Sequence, residues 1–278
     1  DVIGSSSMAT DAEIVSLACM VFCKLNLEAN VKVNSRKLLN DILNYCGIEK
    51  DKQEAVILSI DKLEKFGMDV VKNELREQRI DEKKTSTILS LISLKGSNEE
   101  KASQLKKFLK NSEGLNEIEE MLSYLKNTNL EADFDVSLAR GLAYYTGTVF
   151  EAILKDSKVK SSAAGGGRYD NMIGALLDKG SYPAVGISFG VDRIYDALIE
   201  KEQITKKTNT KIYIIPIKTI SESIKIAMQL RDAGIKTDID LNDKGPSRNL
   251  EYANSLGIPY VLCVGKKELQ ENKLKLRD

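Results

Sequence analysis

The chain has 278 residues, 42% of them hydrophobic and 29% charged, with 41 basic side chains matched by 41 acidic ones. That length supports about two domains with ordinary cores, and the zero formal net charge excludes a generally basic nucleic-acid binder, so RNA contact would need a local patch such as residues 201–211, or shape. No histidine is present, which removes serine- or cysteine-histidine nucleophilic catalysis and argues against a zinc site.

In chain order, residues 12–25 place Val15, Ala18, Cys19, Phe22 and Leu25 at helical spacing and predict an amphipathic helix. Cys19 and Cys23 lie four apart without CxxC spacing and read as small buried residues, not metal ligands. Val31-Lys32-Val33-Asn34 alternates like a strand, and Ser35 is placed to cap the next helix, whose face is Leu38, Leu39, Ile42 and Leu43. From about Asp51 to Leu125 the pattern stays helical and rich in Lys and Glu, with breaks near Gly67, Gly96 and Gly114. This predicts an insertion of several short helices whose charges form a solvated face.

Strands return near Phe134, over residues 148–154 and over residues 184–189, the last running into a helix that starts near Val191. Residues 201–211 are polar and read as a linker. Beyond it come a buried strand over 212–217, a helix over 221–233 closed by Gly234, and a strand over 236–241. A helix over 248–256 closed by Gly257 and a strand over 260–264 follow. This βαβαβ order predicts a mostly parallel sheet with right-handed crossovers. No apolar run approaches the roughly 20 residues of a membrane span, and a cytoplasmic protein is expected.

Chemistry concentrates in three strings. Arg140-Gly141-Leu142-Ala143-Tyr144-Tyr145-Thr146-Gly147 packs a cation, two glycines and adjacent tyrosines just before a strand. Extended backbone there would send the two rings to opposite faces. The second is Ala163-Ala164-Gly165-Gly166-Gly167-Arg168-Tyr169-Asp170-Asn171, where the glycines let backbone approach a ligand closely. The third is Pro183-Ala184-Val185-Gly186-Ile187-Ser188-Phe189-Gly190-Val191-Asp192-Arg193-Ile194.

The first string closely resembles the Arg-Gly-Leu-Asp-Tyr-Tyr-Thr-Gly signature of histidyl-tRNA synthetases, departing only at Ala143. The glycine-rich string resembles that family's other signature. The third is similar to the third motif of class II aminoacyl-tRNA synthetases, with Asp192 where Glu is more usual. Asp1-Val2-Ile3-Gly4 resembles the end of the second motif of that class. A fragment is therefore expected, with the dimer-forming first motif and an ATP-binding arginine upstream, and with the last strand and helix of the C-terminal domain missing.

The resemblance implies an α+β fold in two domains. Residues 1–205 would be the C-terminal part of a class II catalytic core, an antiparallel sheet with helices and a helical insertion at about 51–125. Residues 206–278 would be an α/β anticodon-binding domain. The implied activity is histidine–tRNA ligation: histidine and ATP form histidyl-adenylate, and the acyl group moves to tRNA. ATP with Mg2+ would enter as substrate, no tightly bound cofactor or resident metal is implied, and the whole protein would be a homodimer.

The chemistry of the residues agrees with those roles. Adenylate formation needs preorganised positive charge at the α-phosphate, and the planar fork of Arg140 suits it. The plain alternative is an ion pair with a neighbour such as Asp135. Tyr144 and Tyr145 offer a flat wall and a phenol to a histidine ring. Gly166, Tyr169 and Asp1 would complete the histidine site. Arg193, framed by Gly186 and Gly190, would stack on adenine. Lys244, Arg248 and Asn249 would offer donors to tRNA bases and phosphates. The alternative function is a non-catalytic regulator that senses histidine or tRNA. A regulatory subunit of ATP phosphoribosyltransferase normally lacks a module such as 211–278. RNA-sensing domains of kinases tend to lose the strings that carry Arg140, Tyr145 and Arg193.

Overall fold

In the computed structural model, which describes every residue except 129, 143, 202–206, 243, 272 and 278, the first periodic segment forms a helix behind a short strand. These are β1 (Val2–Ile3) and α1 (Met8–Lys24). Ser7 caps α1, its Oγ accepting the Ala9 N–H at 3.2 Å, as a free N-terminal amide requires. Val15, Ala18 and Phe22 carry the buried stripe. Cys23 is exposed and Cys19 only half-buried, so neither is the buried residue expected, because both lie beside the stripe.

β2 (Ala29–Ser35) leads directly into α2 (Arg36–Tyr45). Ser35 does not cap α2 as expected. It is the last residue of the strand, fully buried and paired with Thr148, so the ladder fixes its direction. A run of short helices follows: α3 (Lys50–Ile60), α4 (Leu63–Phe66), α5 (Met68–Glu77), α6 (Glu82–Ile92), α7 (Asn98–Lys106) and α8 (Glu113–Lys126). Gly114 is no break. It lies inside α8, where a Cβ would come 2.8 Å from the Leu38 Cα, so its bare backbone lets α8 press onto the start of α2.

The chain then returns to the sheet through β3 (Asp133–Phe134), β4 (Thr148–Leu154) and β5 (Ala164–Arg168), a short α9 (Met172–Leu176), β6 (Ala184–Phe189) and α10 (Val191–Glu200). Six strands order as β1-β6-β5-β4-β2-β3, antiparallel throughout except for the β2–β3 pair. One apolar core joins sheet and inserted helices: Phe134, Phe150 and Val185 belong to the same buried cluster as Val56, Leu75, Ile88 and Ile118.

The chain divides into two compact units, Asp1–Glu200 and Lys201–Asp278. Residues 202–206 of the linker predicted at 201–211 lie outside the described residues. The second unit contains β7 (Ile212–Pro216), α11 (Ile220–Asp232), β8 (Thr237–Ile239), α12 (Pro246–Leu256), β9 (Tyr260–Val264), α13 (Lys266–Gln270) and β10 (Lys275–Arg277). Its sheet orders as β10-β9-β7-β8. The β7–β8 and β7–β9 pairs are parallel, as the alternating pattern predicts, while β10 adds an antiparallel edge. Gly257 closes α12 in the left-handed conformation, the role of a C-terminal glycine.

Candidate active site

Alternation along β4 sends Phe150, Ala152 and Leu154 into the core and leaves Glu151 on the opposite face. The register carries that face across the sheet, with Glu151 opposite Gly165, and Gly165 and Gly167 opposite Ser188 and Gly186. Three of those positions have no side chain, and each is covered by a group from elsewhere. A Cβ at Gly165 would overlap the Arg140 guanidinium, and one at Gly186 would overlap the Asp1 carboxylate. At Gly167 it would come 2.8 Å from the Tyr145 ring. The triplet is thus strand, and its first and third glycines, with Gly186 on the neighbouring strand, let the side chains of Arg140, Tyr145 and Asp1 lie on bare backbone.

Gly166 faces the other way. A Cβ there would come 2.8 Å from the Phe150 ring, so Gly166 belongs to the core and the expectation that it lines the histidine site is corrected. The two tyrosines also depart from expectation. They do not take opposite faces of a strand, because residues 144–147 precede β4 in a turn. Their rings pack together instead, with centroids 4.6 Å apart and planes tilted by 50°. Tyr145 is buried against Leu138 and Val149. Burial, reinforced by the Tyr144 hydroxyl and opposed by the Arg140 charge, pushes its phenol up to about 12, so it stays a neutral donor and acceptor. Tyr144 is exposed and borders a cavity of about 350 Å³ that Met172 and Leu176 also line.

Arg140 does not pair with Asp135, which instead accepts from Ser137 and meets Lys32 at 3.1 Å. Its Nη1 lies 3.4 Å from Glu151 Oε1, and its Nε is buried with no partner among the described residues. A guanidinium so placed keeps donors for a ligand. The Tyr169 hydroxyl donates to Asp1 Oδ1 at 2.6 Å. Burial, with the Tyr144 charge second, raises the Tyr169 phenol. Asp1, Arg140, Tyr144, Tyr145 and Tyr169 are therefore gathered on one face. Gly190 and Arg193 lie at the far end of β6: the Gly190 N–H donates to Ala163 O at 2.8 Å, and exposed Arg193 donates to Ser162 O at 2.5 Å. Ala143, the departure from the family signature, lies outside the described residues.

The sequence reading missed the residue beneath this face. Arg168 is 2% exposed and ion-paired with fully buried Asp11, while Thr148 donates to the same carboxylate. It also reaches Ser5 O at 3.0 Å and Asp170 at 3.3 Å. The signal was present: Asp11 sits among Met8, Ala12 and Val15 on the buried stripe of α1, where a lone carboxylate demands a cation.

In the second unit, Lys244 and Arg248 are exposed, but Asn249 is 1% exposed. It accepts from the Tyr213 hydroxyl at 3.0 Å and donates to Asp240 at 2.7 Å, so it is corrected from tRNA donor to internal brace. Buried Asp240 also accepts the Asn242 and Lys244 N–H groups at 2.9 and 3.0 Å. Burial alone would raise this carboxyl, but those donors and the Lys244 charge outweigh it and hold it below its ordinary value. A depressed carboxyl adds stability above its unfolded pKa and loses it as pH falls through the folded one. Urea unfolding of Asp240→Asn should therefore show a flatter acid limb than the parent protein. Parallel curves between about pH 3 and pH 7 would contradict this reading.

With this geometry in place, comparison with known families is decisive. The model described as "Histidyl-tRNA synthetase" matches residues 1–194, and the one described as "Anticodon binding domain" matches residues 211–278. The chain belongs to the histidyl-tRNA synthetase family. A similar relative, "Histidine--tRNA ligase 1" of a Bacillus cereus strain, is 42% identical over 284 residues, which cover 100% of this chain and 66% of that protein. The chain thus spans just under two thirds of the relative's length. The crystal structure of histidyl-tRNA synthetase from Nostoc sp. PCC 7120 superposes with a TM-score of 0.69 at 26% identity, covering 99% of this chain and 67% of that one. A structure titled "ATP phosphoribosyltransferase regulatory subunit/histidyl-tRNA synthetase" from Bacillus halodurans shares the fold at 17% identity and a TM-score of 0.62, covering 90% of this chain and 64% of that one.

Proposed function

We propose that the protein to which this chain belongs is a histidine–tRNA ligase, which joins histidine to ATP as histidyl-adenylate and then passes the acyl group to tRNA(His). The observation that carries this is the set of three bare backbone positions, Gly165, Gly167 and Gly186, under Arg140, Tyr145 and Asp1. A carboxylate, three phenols and a guanidinium on one face suit an imidazole at one end and a carboxylate beside a phosphate at the other. In this reading Asp1 and Tyr145 hold the ring, Tyr169 orients Asp1, and Tyr144 walls the site. The substrate carboxylate attacks the α-phosphorus and pyrophosphate leaves, so no protein base is required. Arg140 stabilises the charge that builds on the α-phosphate.

ATP enters with Mg2+, and Arg193 at the start of α10 stacks on the adenine, with Gly190 leaving room for it. The second unit selects tRNA, through exposed donors such as Lys244 and Arg248. The working protein is a cytoplasmic homodimer. A histidine or tRNA sensor without turnover would bind with the same groove, so the test must read chemistry. Histidine-dependent exchange of pyrophosphate into ATP by the full-length protein is the expected result. Binding of histidine with no exchange, from histidine or any other amino acid, would leave the sensor as the correct reading.

A further inference from the structure

α3 ends in a carboxylate. Asp61 is its C-cap, where the partial negative charge of the helix terminus disfavours an acid. Something outside the helix must therefore account for it. A Cβ on Gly141 would come 2.9 Å from Asp61 Oδ2 and 3.7 Å from Leu58 Cδ2, so the end of α3 sits against the residue that follows Arg140. The Asp61 carboxylate thus faces the Gly141 backbone, and the Lys65 and Arg140 charges act on it. Burial nonetheless dominates and leaves the Asp61 carboxyl raised. A further tie lies three residues along, where Glu64 of α4 meets Lys32 at 2.9 Å and Lys32 meets Asp135 at 3.1 Å. The corner between α3 and α4 thus holds both ends of the segment running from Asp135 to Gly141.

We infer that Asp61 is a positioning residue for Arg140, through which the inserted helices set the aim of the guanidinium over Gly165. Glu151 approaches the guanidinium from the sheet, and Asp61 fixes the backbone next to it from the insertion. The inference rests on the ligase reading, and it carries a readout that does not. In the full-length protein, Asp61→Ala should lower pyrophosphate exchange at saturating histidine and ATP roughly 10- to 100-fold, the scale of a misplaced catalytic group. The histidine KM should move by less than about threefold, because ring recognition is untouched. Amide hydrogen exchange of peptides spanning residues 138–147 should rise. Asp61→Asn keeps the size and the oxygen that lie against Gly141 and should restore both amide protection and most of the exchange rate, the rescue expected of a positioning residue. Wild-type rate and protection in both variants would overturn the inference. If the parent protein shows no histidine-dependent exchange, the ligase reading fails, and amide protection alone decides whether Asp61 holds the loop.

Discussion

Replacing Arg168 with methionine is expected to destabilise the first unit by about 3–5 kcal/mol, the cost of leaving a buried charge without its partner. Asp11 would then face an apolar side chain while keeping, among the described residues, the Thr148 hydroxyl and a part-buried contact from Thr10. The midpoint of urea unfolding, followed by far-ultraviolet circular dichroism, measures the effect. Asp11→Ala should cost a comparable amount. The double variant should cost clearly less than the sum, because removing both charges leaves neither stranded. A loss under about 1 kcal/mol for Arg168→Met would mean that water replaces Asp11's partner and that the pair is not a structural hub.

Arg140→Ala in the full-length protein should reduce adenylate formation roughly 100-fold, about 3 kcal/mol of transition-state stabilisation, with little change in histidine affinity. The guanidinium rests on Gly165 with a buried Nε that no described residue satisfies, while Tyr145 packs on Leu138 and Val149 and Tyr169 holds Asp1. Arg140→Lys should recover only part of the rate, since a point charge lacks the planar fork. Pre-steady-state measurement of adenylate formation separates rate from affinity. An unchanged rate at saturating substrates would remove Arg140 from the chemistry.

Much of this architecture could be read from periodicity. α1, β2, β4 and β6 carry clean helical or alternating patterns, and the order of elements beyond residue 211 dictated a parallel sheet core. The site was legible where a residue type constrains its own chemistry, as with Arg140 and the paired tyrosines. It was not legible where neighbours decide. A run of three glycines has no alternation to read, so only the register against Phe150 and Glu151 shows that Gly166 faces the core. Tyr144 and Tyr145 turn together because the strand begins at Thr148, after a turn in which the Thr146 N–H donates to Arg168 O at 2.8 Å. Asn249 reads as an exposed amide near a helix start until Tyr213, 36 residues earlier, is found against it. Asp61 resembles one more charge in a Lys- and Glu-rich stretch, and only Gly141 beside it gives it a task.

The single core shared by sheet and inserted helices bears on how the first unit comes apart. A segment spliced into a fold often has its own apolar centre and melts as a separate unit of cooperativity. Here Val56, Leu75 and Ile88 are continuous with Phe134 and Phe150, so opening the helices strips the back of the very strands that carry the groove. Helices and strands stand or fall as one cooperative body, and the groove's geometry is insured by residues distant from it in the chain.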